Sequence, residues 1–148
     1  MKITKENAEI INTPKVYMHD DLFVDMHFDY KNQLLSLSLK RYPTRYSKWQ
    51  DYNIYFEQVY GYVMTSSHFW GQGDFVLDFL CLSAKDQVLL PRLRAKVSEA
   101  SADDSLKIIS ELERCMEVKI VLNSGDELTV VCETVNIKLD SLHLPTDV

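Results

Sequence analysis

Glycine is scarce in this chain, with four residues among 148. No Gly-rich loop exists to cradle a phosphate, and no G-x-S-x-G elbow presents a serine, which sets aside P-loop, dinucleotide-binding and serine-hydrolase readings. Cysteine is equally sparse. Cys81, Cys115 and Cys132 are odd in number, widely spaced and form no C-x-x-C pair, so neither a disulfide framework nor a zinc ribbon is expected. All three sit in apolar or periodic surroundings, where a free cysteine acts as a small buried hydrophobe. No apolar run approaches the ~20 residues needed to span a bilayer. The first thirteen residues carry Glu6 and Glu9 and hold no uninterrupted apolar stretch, unlike a secretory leader. A cytoplasmic protein is therefore expected.

Positive charge is also in short supply. Sixteen Lys/Arg stand against 22 Asp/Glu, for a net charge of −6. The imbalance is concentrated in residues 101–148, which hold four Lys/Arg and ten Asp/Glu. This balance argues against general affinity for nucleic acid or anionic membranes and favours a basic protein partner. Aromatics make up 11% of the chain, which suits strands more than helices. With neither a linker nor an internal repeat, residues 1–148 read as one domain.

The chain does contain alternation of period two. Leu22, Val24, Met26, Phe28 and Tyr30 share one face of an extended segment, against Asp21, Asp25, His27 and Asp29 with Phe23 among them. After a polar turn at residues 30–33, Leu35, Leu37 and Leu39 alternate with Ser36, Ser38 and Lys40, which predicts an antiparallel hairpin. Alternation returns at residues 52–56. It then shifts by one between Phe56 and Val59, beside Gly61, as at a bulge or tight bend. Residues 75–82 are nearly all apolar and read as a strand covered on both faces or meeting a helix. A closing hairpin has Val118, Ile120 and Leu122, a turn at 123–126, then Leu128, Val130 and Cys132. Val135, Ile137 and Leu139 follow after a second slip. A short strand is expected at residues 15–18, and a helical turn capped by Thr4 before Pro14.

Helical spacing appears only between residues 87 and 115. Leu89, Leu90, Leu93 and Val97 form one stripe, with Pro91 tolerable in a first turn. Leu106, Ile109 and Leu112, with Ile108 alongside, form another behind the start signal of Ser101 and Asp104. The fold class is therefore α+β: an antiparallel, strongly twisted sheet or partial barrel of about six to eight strands with one or two helices.

Several clusters invite chemistry. Asp25, His27 and Asp29 share a strand face, yet alternate residues stand about 7 Å apart, too far for three ligands on one ion without help. The solvated outer face of a hairpin explains them. His19-Asp20-Asp21 is a polar corner whose acids suit bonds to local backbone. A small metal-dependent or ligand-binding enzyme using His19, Asp20, Asp25 and His27 stays open as an alternative, as does a self-associating structural protein. Residues 66–71 place Ser and His together without any catalytic frame, and nothing calls for a cofactor. Arg41, Tyr42, Arg45, Tyr46 and Trp49 form the one basic and aromatic cluster, of the composition that dominates protein interfaces. Asp103, Asp104, Glu111 and Glu113 form an acidic counterpart suited to a basic partner.

His19-Asp20-Asp21 ahead of the first alternating strand, Ile54-x-Phe56-x-x-Val59, and a sheet-forming segment late in the chain together resemble small bacterial immunity proteins of polymorphic toxin systems. The resemblance covers residues 16–82, and the rest only loosely. In that group serine often stands where this chain has Asp21. The resemblance implies stoichiometric, non-catalytic binding of a toxin domain and brings no contact residue with it.

Overall fold

The computed structural model describes residues 1–41, 49–65, 74–100 and 105–138. Seven antiparallel strands build one twisted, open sheet: β1 (Lys2–Thr4), β2 (Leu22–Asp29), β3 (Leu34–Arg41), β4 (Gln50–Met64), β5 (Val76–Cys81), β6 (Met116–Leu122) and β7 (Glu127–Lys138). Their order is β2-β3-β4-β7-β6-β5, with β1 added to β7. A 3₁₀ helix (Lys5–Asn12) follows β1, and α1 (Leu89–Glu99) and α2 (Ser105–Leu112) lie between β5 and β6. The α+β expectation holds, with seven strands. Among the described residues no helix is long and apolar enough to cross a membrane.

Strand β7 is the centre because it pairs with three other strands. One edge pairs with β4 from Leu128 to Lys138. The other pairs with β6 from Glu127 to Cys132, then with β1 from Thr134 to Asn136. The phase change between Cys132 and Val135 falls where the neighbour switches from β6 to β1. Both residues are buried in the main core. The irregular pairing itself lies in β4, between Val59 and Gly61, just beyond the slip that the sequence shows between Phe56 and Val59. Gln58, just before it, has a φ of 52°.

The main core is the inner face of the curled sheet: Leu35, Leu37 and Leu39 of β3, Ile54 and Phe56 of β4, Val118 and Ile120 of β6, Val135 and Ile137 of β7. The two terminal strands meet at one corner, through the bridge Leu22–Phe75. There Phe23 N–H donates to Asp74 O (2.9 Å), Asp20 N–H to Val76 O and Val76 N–H to Asp21 O (both 2.8 Å). Beyond that corner the ladder stays open.

Three expectations are corrected. In β2 the pairing shifts between Phe23 and Asp25, which ejects Val24 to 49% exposure and turns Phe23 toward the core. Tyr30, in the turn beyond the strand, is 86% exposed. Residues 75–82 are not covered on both faces. β5 is a terminal strand with its own shift between Val76 and Asp78, so Leu77 and Asp78 face outward. Residues 15–18 form no strand, only a bridge at Val16.

A second, smaller core lies on the outer face. Leu89, Leu90, Leu93 and Val97 of α1 meet Ile108 and Leu112 of α2 over Tyr60 and Val131. Pro91 sits in the first turn of α1, where its absent N–H costs nothing. Leu106, expected in the stripe, is 78% exposed, because eight residues reach the sheet with Ile108 and Leu112 at i and i+4. The start signal Ser101–Asp104 and Leu139 lie outside the described residues.

Gly61 admits this helix. A Cβ there would stand 2.9 Å from Leu93 Cδ1. Gly61→Val should cost about 1–3 kcal/mol of stability through overpacking, and Leu93→Ala in the same chain should recover part of that cost. Urea titrations of the two single variants and the double variant test this. Additive losses would show that α1 does not lie where Gly61 places it.

Candidate functional site

One polar corner, the outer face of β2, one aromatic cleft and two buried carboxylates, Asp21 and Glu117, concentrate the chemistry of the described residues. The His19-Asp20-Asp21 corner closes the sheet. Asp20 takes a left-handed backbone (φ 71°), a conformation that Asp tolerates better than most residues. His19 Nδ1 lies 3.2 Å from Asp20 Oδ2, on the surface, and its ring stacks on Tyr17. Asp21 is buried and accepts the Tyr52 hydroxyl at 2.6 Å. Burial first, and then the charge of Asp21 and this hydrogen bond, push the Tyr52 phenol far above its usual range. The corner therefore joins β2 to β4 through a side-chain bond, not only the local backbone bonds that the sequence suggests.

Asp25 and His27 stand exposed on the outer face of β2. Asp25 Oδ1 accepts the Met26 N–H, and Asp29 accepts both the backbone and the side-chain amide of Asn32. The Asn32 bonds hold the Asp29 carboxyl below its ordinary range, with His27 adding a smaller effect. Asp29 is a turn former. Among the described residues no group of three His, Cys, Asp or Glu is arranged to hold a metal.

The turn at residues 30–33 docks against the irregular part of β4. Val59 N–H donates to Gln33 O at 2.9 Å, and Gln33 Nε2 returns a bond to Val59 O at 3.2 Å. Gln33 takes a φ of 51° to do so. A cleft of about 540 Å³ results, lined by Phe28, Tyr30, Lys31, Tyr60 and Tyr62 among others. The Phe28 and Tyr62 rings meet at 4.8 Å, and Tyr30 stands edge-on to Phe28 at 6.3 Å. Tyrosines fixed on a hydrogen-bonded turn offer large contact area at small entropic cost, the property of interface anchors. Sequence alternation places Phe28 and Tyr30 on the core face, and Phe28 does pack against the core while Tyr30 does not. The odd tyrosine past the end of the strand was the available sign of a different role.

The expected partner residues fall in three places. Arg41 is half-buried and donates from Nη1 to Tyr17 O at 3.3 Å, so part of its guanidinium serves the closing corner. Trp49 is 43% exposed, at the start of the segment leading into β4. Glu111 accepts the Tyr60 hydroxyl at 2.8 Å beside the helices, and Glu113 is exposed with its backbone carbonyl accepting Lys5 Nζ. Tyr42, Arg45, Tyr46, Asp103 and Asp104 lie outside the described residues. Arg41 and the aromatic turn occupy opposite ends of β3, roughly 23 Å apart at 3.3 Å per residue. The described members of the basic cluster therefore do not join the cleft.

Glu117 is the residue that sequence reasoning missed. It is 1% exposed, and its carboxylate accepts the backbone N–H groups of Val88 (3.1 Å), Leu89 (3.2 Å) and Leu90 (2.7 Å). Those are the free amides of the first turn of α1, whose own cap position, Val88, has no side-chain acceptor. The available signal was a glutamate within the apolar run of β6, together with a helix that starts without Ser, Thr, Asp or Asn. The thiols are structural too. Burial pushes Cys115 up to about 12 and raises Cys81 and Cys132 as well, which disfavours the thiolate form at all three. No family model, no curated protein and no solved structure matches this chain.

Glu117→Ala should cost about 2–4 kcal/mol, since it strips three buried amides of their acceptor, and Glu117→Gln should lose less. Chemical denaturation of both variants checks the order, and equal losses would refute a charge-assisted cap. Stability should also fall in alkali. Tyr52, Tyr60 and Cys115 all ionise later in the folded chain than in the unfolded one. Their contribution is complete below about pH 9 and is lost as the pH climbs through the ordinary thiol and phenol range. Unfolding midpoints between about pH 8 and pH 11 test the sign. Tyr52→Phe should flatten the slope above about pH 10, and a slope unchanged in that variant would refute the assignment to Tyr52.

Proposed function

We propose that this chain is a non-catalytic binding protein of the cytoplasm, of the immunity type, which masks a toxin domain through surface complementarity. The observation that carries this reading is Tyr30. A tyrosine 86% exposed, on a turn fixed by Asp29, Asn32 and Gln33 and flanked by an aromatic cleft, suits an interface anchor. The net charge of −6 supports a basic partner, whose approach the acidic surface would accelerate in a salt-sensitive way. The resemblance in residues 16–82 to immunity proteins points the same way.

The reading is tested by cloning the reading frame immediately upstream of this gene and expressing it alone and together with this protein. Growth arrest relieved by co-expression, with a stoichiometric complex on sizing, is the expected result. Tyr30→Ala should weaken that complex about tenfold or more without changing the unfolding midpoint. Arrest that persists despite soluble protein would remove the immunity reading.

A further inference from the structure

Among the described residues, β2 presents an open strand edge. β2 ends the strand order, and its ladder is made with β3 alone. The closing corner engages it only at Leu22 and Phe23. From Val24 to Asp29, among the described residues, no other strand bonds the far side of β2, and the backbone group engaged outside the β3 ladder is Met26 N–H, held locally by Asp25 Oδ1 at 2.8 Å. The opposite terminal strand is treated differently. At the end of β5, the Asn12 side chain accepts the Cys81 N–H at 2.9 Å and donates to Cys81 O at 3.1 Å, standing in for a neighbouring strand. Near its start, Val76 is bonded to Asp20 and Asp21. One terminal strand is closed at both ends, and the other is open for six residues, or about 20 Å.

The side chains along the open edge form two rows. Met26 and Phe28, partly buried against the core, form an apolar inner row that continues into the cleft beside Tyr30. Asp25, His27 and Asp29 form the outer row, next to the neutral Ser38, Ser36 and Leu34 of β3. A strand laid on this edge would set its own alternate residues against those rows. Apolar residues fit inside and cations fit outside.

We infer that β2 is a site for strand addition by an extended segment of a partner protein, in which Lys or Arg alternates with apolar residues. This rests on the binding-protein reading above and gives it a mode of contact. Main-chain bonds to β2 supply affinity, and the alternating row supplies selectivity. A second copy of this chain is the poorer occupant. Antiparallel self-pairing centred on His27 places Asp25 opposite Asp29 twice, and like charges across a strand pair repel.

The probe is a fluorescent, acetylated and amidated peptide, Lys-Val-Lys-Val-Lys-Val, titrated with the full chain and read by anisotropy. It should bind about tenfold more tightly than Glu-Val-Glu-Val-Glu-Val, and Asp25→Lys, on the solvent side of β2, should narrow or reverse that ratio. Two further peptides carry N-methyl groups on the lysine or on the valine amides. Alternate amides of a strand point to the same side, so one methylated peptide should lose binding and the other should keep it. Equal binding by both would mean ionic attraction without a ladder, and no binding at millimolar concentration would mean a closed edge. Either result overturns the proposal, as would a dimer on light scattering that Asp25→Lys strengthens, because that change turns the like-charge pairs of β2 self-pairing into opposite-charge ones. A toxin complex that forms while the peptides fail would discard strand addition and keep the binding function. Peptide binding with no relief of arrest would discard the immunity reading instead.

Discussion

A buried carboxylate is tolerable only where its charge is answered, and the architecture of the outer face follows from how Glu117 is answered. Three amides of α1 converge on it, combining charge-assisted hydrogen bonds with the positive end of the helix dipole. The arrangement is reciprocal. Without Glu117 the helix begins at a valine with unsatisfied donors, and without the helix β6 carries an unpaired charge on a covered face. This pins the start of α1 over β6, so Leu89 and Leu90 reach the patch made by Val131 and Tyr60. A short two-helix layer with one modest apolar cluster is thereby held in one position.

That position divides the sheet in two. Where the helices lie, the outward residues of β4 and β7 are Tyr60, Gly61 and Val131. Where they do not, the outward residues on paired rows are Ser36, Tyr55 and Asn136, or Ser38 and Asn53, a face suited to water. The bulge between Val59 and Gly61 lies between the two regions. It alters the phase of β4, opens the space that Gly61 concedes to Leu93, and supplies the backbone groups that seat Gln33. One local irregularity therefore serves the helix on one face and the aromatic turn at the end of β3.

Much of this was legible in the sequence, and the failures share a cause. β3, β4, β6 and the two hairpins follow from alternation because each strand is flanked on both sides and buried on one face. The bulge at Val59 was readable as a broken period. β2 was misjudged because its own irregularity falls at Val24, where a valine gives no warning and the period-two count runs on unbroken. β1 escaped notice because three residues carry no period, and its place beside β7 is a long-range pairing. Glu117 shows the deeper limit. A local pattern reports which face of an element is apolar, but not which distant helix lacks a cap. The basic cluster shows a related limit, since residue types suited to an interface do not say where a strand will carry them, and Arg41 is partly drawn into the closing corner.

Open strand edges invite promiscuous pairing, and folds blunt them by bulges, by charge or by covering them. β5 is covered by side chain and corner. β2 relies on the bulge at Val24 and on two carboxylates. These defences differ in kind. A covered edge excludes every partner, because each new strand must first displace what is already bonded there. A charged edge excludes by sign: it rejects a second copy of itself and neutral aggregating strands gain nothing from it, while a strand of opposite charge meets a complementary row. Steric closure was available to this fold, as Asn12 demonstrates on the neighbouring edge. An edge protected by one bulge and by charge, running into an exposed tyrosine turn, discriminates by sign where a covered edge would exclude every partner alike.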